Sequence, residues 1–293
     1  MSWRIVVIHN TAKLDLKLNY LVVRSEMSTT KIHISEIAVL LIESTSVSLT
    51  AGLLAELTRQ KVKVIFCDAQ RNPSSELVSY YGSHDTSNKI RTQIQWQKSA
   101  KEAVWTEIVR EKIRQQMKFL SERGREKEAE LLSAYIHEMQ WYDETNREGH
   151  AAKVYFNALF GMDFSRSQEN NINAALNYGY SIILSAFNRE ITANGYLTQL
   201  GLFHDNMFNQ FNLGSDLMEP FRVLVDRMVC SMQLDEFEHN EKMELVNLLN
   251  QEVLMEGKHY IIMNAIKRYV KSVFDALNDS DIALLTFYSV YEL

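Results

Sequence analysis

Proline is almost missing from this chain: Pro73 and Pro220 are the only two in 293 residues, and glycine occurs ten times. A chain so poor in helix breakers and turn formers is neither a proline-rich linker nor a collagen-like fibre, and long helices are open to it. Cysteine is equally scarce. Cys67 and Cys230 each lie in an apolar segment, Val64-Ile-Phe-Cys67 and Met228-Val-Cys230. That argues for reduced, buried thiols and against a disulfide framework. No apolar run reaches the roughly eighteen residues of a membrane span. No charged-then-apolar leader precedes Trp3-Arg-Ile, so a cytoplasmic protein is the expectation.

A surplus of positive charge is lacking too. The formal net charge is −6, so the chain as a whole is not a basic nucleic-acid binder, and any phosphate contact must come from local patches. The charge is unevenly spread. Residues 89 to 130 carry eleven Lys/Arg against seven Glu, whereas Asp235 to Glu256 carry seven acidic residues against Lys242. One basic and one acidic face are compatible with this, and so are two ordinary solvated helix surfaces. With 46% apolar and 23% charged residues, the chain has the composition of a globular protein of one large or two ordinary domains.

The first seventy residues read as strands: Trp3–Ile8, Tyr20–Val23, Lys31–Ile34, Ile37–Ile42 and Lys61–Phe66 are β-branched, alternating or fully apolar runs. Between the last two, Ser48–Arg59 has helical spacing, with Ser46 or Ser48 as cap. Strands in succession with a single helix predict a small, mostly antiparallel β domain and not alternating βαβ units. Asp68–Asn88, which holds Pro73 and Gly82-Ser-His84-Asp85, reads as a linker with one short strand or turn at Leu77–Tyr81. From about Lys89 onward the pattern is helical. Trp96–Arg123 carries an apolar stripe (Ala100, Val104, Ile108, Ile113, Met117, Leu120) with basic residues opposite. Further helices are predicted over Lys127–Trp141, Asn146–Phe160 (Thr145 or Asn146 as cap), two within Glu169–Leu200, then Pro220–Met232, Lys242–Glu256 and Tyr260–Leu277. No fixed-period repeat is visible. The class is α+β: residues 1–70 a β-sandwich-like domain, 71–90 a linker, and 91–293 a larger all-α domain.

One stretch gathers reactive residue types: Gly201-Leu-Phe-His204-Asp205-Asn206, a loop-like centre over Asn206–Ser215, then Leu213-Gly-Ser-Asp216-Leu-Met-Glu219-Pro220-Phe-Arg222. Asp216, Glu219 and Arg222 are spaced three apart, which puts them on one face of a helix. Pro220 must stand in or beside a first turn. A capped helix start with a solvated histidine explains this stretch equally well. Glu148 opens another helix beside Gly149 and Ala151-Ala152, small residues that allow a neighbouring helix to approach. Alone it reads as an N-terminal Glu interacting with its own helix dipole. Together, Glu148, His204 and Glu219 offer two carboxylates and an imidazole, a set that suits Mg²⁺ or Mn²⁺ and not structural zinc. His150 points away from Glu148 on its helix and reads as packing. The other six histidines have no carboxylate pattern around them.

Arg147-Glu148-Gly149 with Ala-Ala and Tyr155-Phe156 resembles the CRISPR-associated adaptation integrase family, metal-dependent nucleases that insert spacers into CRISPR arrays. So do Asn173-Ala-Ala-Leu-Asn177-Tyr-Gly-Tyr180, Gly201–Asn206 and Asp216–Arg222, and, in the front half, Leu41-Ile-Glu43 and Val64–Asp68. The motifs follow the family's order over essentially the whole chain, with a flavour closest to type II systems. The resemblance implies that Glu148, His204 and Glu219 are the metal ligands, with Glu219 where many relatives have Asp, and that Asp216 is a second acidic position near the metal. It implies a homodimer formed through the β domain, two dimers bridged by a small second adaptation subunit, association with further type II proteins, and binding of double-stranded DNA. The implied chemistry is 3′-hydroxyl attack on a phosphodiester, with metal-assisted hydrolysis beside it. Arg222, Arg189, Lys153 and Arg147 are candidate phosphate contacts. A non-catalytic helical adaptor would not need the Glu-His-Glu set. A small-molecule metal hydrolase or oxygenase would instead need a closed apolar pocket around its ion.

Overall fold

The computed structural model describes residues 4–79 and 83–290. Two compact units emerge: an N-terminal one up to Thr86 that also takes in Thr192–Gly195, and a C-terminal one formed by Ser87–Ile191 and the chain from Tyr196.

The first unit contains β1 (Arg4–Ile8), β2 (Ala12–Lys17), β3 (Tyr20–Arg24), β4 (Thr29–His33), β5 (Ile37–Ile42), β6 (Val47–Leu49), α1 (Ala51–Arg59), β7 (Lys63–Cys67) and β8 (Pro73–Leu77). One four-stranded sheet has the order β1-β5-β7-β8 and the other β4-β3-β2-β6. Leu14 and Leu21 from the second sheet share a core with Val6, Leu40 and Val64 from the first and with Leu53 and Leu57 of α1. This sandwich-like arrangement matches the expected α+β class. The expected antiparallel pairing does not hold throughout. β1 and β7 both run parallel to β5, and β6 runs parallel to β2. β5 is buried at all six positions, which is why its sequence is an unbroken apolar run and not an alternating one. The helix after β5 and β6 carries the chain back to β7, and that crossover makes the parallel pairing possible. α1 is capped by Thr50, not by Ser46 or Ser48: its hydroxyl accepts from Leu53 N. Within the predicted linker, Pro73–Leu77 closes the first sheet antiparallel to β7. Trp3 and the Tyr80–Tyr81 end of the predicted Leu77–Tyr81 strand lie outside the described residues.

The second unit follows with α2 (Thr86–Ile94), α3 (Lys98–Glu122), α4 (Glu126–Glu138), α5 (Arg147–Phe160), α6 (Asn171–Ala193), α7 (Asn212–Leu217), α8 (Arg222–Ser231) and α9 (His239–Asn247). A hairpin of β9 (Glu252–Met255) and β10 (Lys258–Ile261) then leads into α10 (Ile262–Asp279). The twenty-five-residue α3 is its axis, packed against α4, α5, α8 and α10. Four departures from expectation stand out. α6 is one helix that ends before Gly195, with no helix following to Leu200. α7 occupies part of the stretch expected to be loop. The segment expected to continue as helix to Glu256 turns into the hairpin, whose turn residues Glu256 and Gly257 both have positive φ. Finally, α3 buries residues on nearly every side. Ala100, Val104, Ile108, Ile113 and Leu120 are buried as predicted, but so are Glu111, Lys112, Gln115 and Gln116 from the polar face. Among the described residues, no helix is long and apolar enough to cross a membrane.

Candidate metal centre

α5 begins in an unusually fixed way. Asn146 adopts a left-handed conformation and its side chain accepts from Gly149 N at 3.2 Å. The Asp143 carboxylate accepts from Arg147 N at 2.7 Å and Glu148 N at 2.9 Å. Three of the four orphan N–H groups of the helix start are thereby satisfied, and Glu148 is held on a rigid first turn. Gly149 serves this cap and not a neighbouring helix: a Cβ there would strike the Asn146 side chain.

The second carboxylate arrives through Pro220. α7 ends at Leu217, and Glu219–Phe221 forms a single tight turn with Pro220 in its first positions, so the missing N–H costs no helical bond. α8 then starts at Arg222, whose Nε donates to Glu219 Oε1 at 2.9 Å, and the guanidinium lies 4.7 Å from the centre of the Tyr180 ring.

Both glutamates meet one cation. Lys112 Nζ, on α3, is 2.5 Å from Glu148 Oε1 and 2.5 Å from Glu219 Oε2, with only 10% of the lysine side chain exposed. Burial opposes charge on Lys112, but the Glu148 and Glu219 carboxylates outweigh it and push the ammonium up to about 12. Burial likewise opposes charge on Glu219, and the Arg222 and Lys112 cations overcome it, holding the carboxyl down at about 2. Glu219 Oε2 is buried and, beyond this ion contact, receives no hydrogen bond of good geometry.

His204 is placed by Asp216. Asp216 Oδ2 accepts from Leu202 N at 2.6 Å and Phe203 N at 3.1 Å, while Oδ1 accepts from His204 N at 3.1 Å and lies 2.5 Å from His204 Nδ1. The turn is possible only because residue 201 is glycine; a Cβ would collide with the His204 carbonyl and the Asp216 carboxylate. Phe203 stacks on the fully buried Trp105 at 4.6 Å, and His204 stands edge-on to the same indole. The Asp216 hydrogen bond raises the imidazole pKa above its ordinary value against partial burial, and Glu219 and Glu148 are close enough to add to the rise. With Nδ1 committed to Asp216, Nε2 is the ring nitrogen left to face a ligand.

Glu148 and Glu219 thus meet at Lys112, and His204 is near enough to feel the charge of both. Asp216, expected as a further acidic position by the metal, has both oxygens engaged by the 202–204 backbone and His204, so it orients the histidine and is not a free ligand. The donor set left over is two carboxylates and one imidazole. Carboxylate oxygens with one imidazole are the donor types a hard divalent ion takes, and the glutamates already share one cation, Lys112.

The candidate phosphate contacts are scattered. Arg222 is committed to Glu219. Arg189 pairs with Glu190, and Arg147 pairs with Glu138 at 2.8 Å and lies over Tyr135. Lys153 is exposed and, with Arg125 and Met162, lines a separate cavity. His150 is exposed beside Tyr135, not packed inside. Sequence reasoning missed Lys112, Asp143 and Trp105, which carried no local signal. It also missed His9, whose Nδ1 lies 2.7 Å from the fully buried Glu43 in the first unit.

Next to the glutamates, Asp226 is buried and accepts hydrogen bonds from Tyr155 (3.1 Å) and Tyr180. Burial pushes its carboxyl up to about 6 against those bonds. Lys112, Glu219, Arg222 and Asp226 share the wall of a cavity of about 240 Å³.

A family model described as "CRISPR associated protein Cas1" matches residues 5–254. The chain is 32% identical over 286 residues to a CRISPR-associated endonuclease Cas1 of Neisseria meningitidis serogroup C (strain 8013), a match covering 96% of this chain and 94% of that protein. A Cas1 of Francisella tularensis subsp. novicida (strain U112) is 26% identical, over 75% of this chain and 76% of the other. Among solved structures, a casposase bound to an integration product has a TM-score of 0.75 at 19% identity, covering 96% of this chain and 91% of that one. A Cas1 protein from Thermotoga maritima has a TM-score of 0.73 at 17% identity, covering 94% of this chain and 97% of that one. A Cas6-RT-Cas1–Cas2 complex has a TM-score of 0.76 at 17% identity, covering 99% of this chain and 36% of that one.

Proposed function

The chain belongs to the Cas1 family of CRISPR-associated proteins, and on that premise we propose that it is a DNA integrase and endonuclease that joins spacer DNA to a CRISPR array. The observation that carries this reading is the convergence of Glu148 and Glu219 on one cation position with His204 beside it. A Mg²⁺ or Mn²⁺ ion held there would activate a 3′-hydroxyl or water and neutralise charge on the attacked phosphodiester. The protein's own part is geometric. Asp143 and Asn146 fix the helix that presents Glu148. Asp216 fixes the His204 tautomer, and Arg222 keeps Glu219 ionised and aimed. In transesterification one P–O bond forms as one breaks, so the joining step needs no energy source.

The remaining parts of the reading follow from the family. The β unit, whose first sheet takes in Pro73–Leu77 of the expected 71–90 linker, dimerises, and the helical unit carries the chemistry. Two dimers are bridged by a small Cas2-type subunit, and duplex DNA is bound along the basic residues of the helical region, Arg147, Lys153, Arg189 and Arg222 among them. A neighbour solved as a Cas1–Cas2 complex and another bound to an integration product support those partners. The protein works in the cytoplasm, in a type II system with further proteins of that system.

The test is joining of 3′-hydroxyl duplex DNA to a supercoiled target in Mn²⁺ or Mg²⁺, with the small subunit present. Glu148→Ala, His204→Ala and Glu219→Ala are each expected to abolish joining while leaving the oligomeric state unchanged by light scattering. Joining retained by all three would remove the site assignment and favour a non-catalytic adaptor.

A further inference from the structure

Lys112 occupies the place a divalent ion would take. Its ammonium is 2.5 Å from an oxygen of each glutamate, so those oxygens are at most twice that distance apart with the nitrogen between them. A Mg²⁺ ion requires oxygens at about 2.0–2.1 Å, and ion and ammonium cannot share that space. The charges agree with the sterics. Glu148 and Glu219 are balanced by Lys112 and Arg222 in a largely buried setting. Adding two positive charges with both side chains in place would leave the site with an excess of positive charge even with the Asp226 carboxylate counted.

One of the two cations must therefore leave, and the geometry selects Lys112. Arg222 is held by its Nε bond to Glu219 Oε1 and by the Tyr180 face. Lys112 has a flexible four-carbon stem and borders the 240 Å³ cavity whose wall includes the buried Asp226 carboxylate.

We propose that Lys112 is a resident cation that keeps Glu148 and Glu219 together before metal arrives, and that a divalent ion displaces it into the adjoining cavity toward Asp226. This rests on the reading of Glu148, His204 and Glu219 as ligands. Lys112 is a positioning residue on this account. It preassembles the carboxylates and lowers the apparent metal affinity, because only the fraction of molecules with the ammonium withdrawn accepts the ion.

The experiment is Mn²⁺ binding by titration calorimetry on the full chain without DNA, with thermal melting in EDTA and in Mn²⁺. Lys112→Met, similar in length and uncharged, is expected to melt lower in EDTA, bind Mn²⁺ about tenfold more tightly, and gain more in melting temperature from the ion. Lys112→Arg, whose forked guanidinium is gripped by both carboxylates and withdraws less readily, is expected to bind Mn²⁺ more weakly than the wild type. A purely structural lysine would give the lower melting temperature without tighter binding, and that result overturns the proposal. Should Lys112→Met not fold, a crystal structure of the Mn²⁺-loaded wild type decides. Lys112 Nζ turned toward Asp226 supports the proposal, and an ammonium still bridging both glutamates refutes it. If Mn²⁺ binds the wild type with the same affinity as Lys112→Met, only this inference falls. If Mn²⁺ binds neither protein, the metal-site reading falls as well.

Discussion

Replacing Asp216 with asparagine changes one oxygen to an amide nitrogen in a place that has no room for a donor. Four contacts converge on the carboxylate: Leu202 N and Phe203 N on one oxygen, His204 N and His204 Nδ1 on the other. Asparagine has a single acceptor atom, so its NH₂ faces either the Leu202 and Phe203 N–H donors or His204 N together with Nδ1, which accepts from it only in the other tautomer. Hydrogen bonds to a charged group contribute about 1.5–3 kcal/mol each, so the one or two bonds lost amount to roughly 1.5–6 kcal/mol. Asp216 itself is fully buried. Against a total stability of about 5–15 kcal/mol, that is a large fraction. Urea unfolding followed by tryptophan fluorescence, which reads Trp105 beside this turn, measures the loss. The imidazole pKa, followed by NMR of His204, is expected to fall back toward its ordinary value, since the Asp216 hydrogen bond is the largest cause of its rise. A change in stability below about 1 kcal/mol, with an unmoved His204 titration, would mean that Asp216 is not what fixes the histidine.

Two further outcomes follow from the same region. Gly201→Ala is expected to lose about 1–3 kcal/mol in urea, as over-packed sites do, because the clash is with backbone and a buried carboxylate; an unchanged midpoint would contradict the crowded turn. Asp226 has a folded-state pKa of about 6, above its unfolded value, so the folded form holds its proton more tightly. Its contribution to stability is therefore greatest at low pH and declines as pH rises from about 4 through about 6. Glu219, held at about 2, acts oppositely and in a lower window, its stabilisation fading as pH falls from about 4.5 toward 2. Stability-versus-pH curves of wild type and Asp226→Asn should accordingly diverge between pH 4 and 6, and parallel curves there would refute the buried-acid assignment.

How much of this was legible beforehand differs by element. Pro220, expected in or beside a first turn, stands in the tight turn before α8, because a proline's missing donor has few permitted places. The single helix face expected for Asp216, Glu219 and Arg222 is broken, since Asp216 lies in α7, Glu219 in that turn and Arg222 opens α8. β5 was readable because burial on both faces leaves an unbroken apolar run. Strand direction was not readable: an apolar run looks the same parallel or antiparallel, and only the crossover through α1 settles it. The β9–β10 hairpin was hidden by leucines and valines compatible with either period, although Glu256-Gly257 carried a turn signal. Glu148, His204 and Glu219 could be grouped by donor chemistry and by resemblance. Lys112 could not, since one lysine among eleven basic residues between 89 and 130 gives no sign that it faces inward. Asp143, and the hold of Asp216 on the 202–204 backbone, escaped notice for a related reason. Their partners are backbone N–H groups, which leave no trace in the identity of neighbouring residues.

The segment from Asp205 to Phe211 is anchored on both sides of its exposed tip at Met207 and Phe208. Asp216 grips the chain up to His204. On the return, the Asn212 side chain donates to the carbonyls of Gln199 and Asn206 (both 3.1 Å), and Leu213 N donates to Thr198 O at 2.8 Å. Between these clasps Met207 and Phe208 stand 87% exposed. Residues could be inserted or deleted at that tip without shifting the imidazole, because the strain of a changed length would be absorbed outside the clasps. The fold thus allows this excursion to change in length while His204 and its neighbouring carboxylates stay where they are.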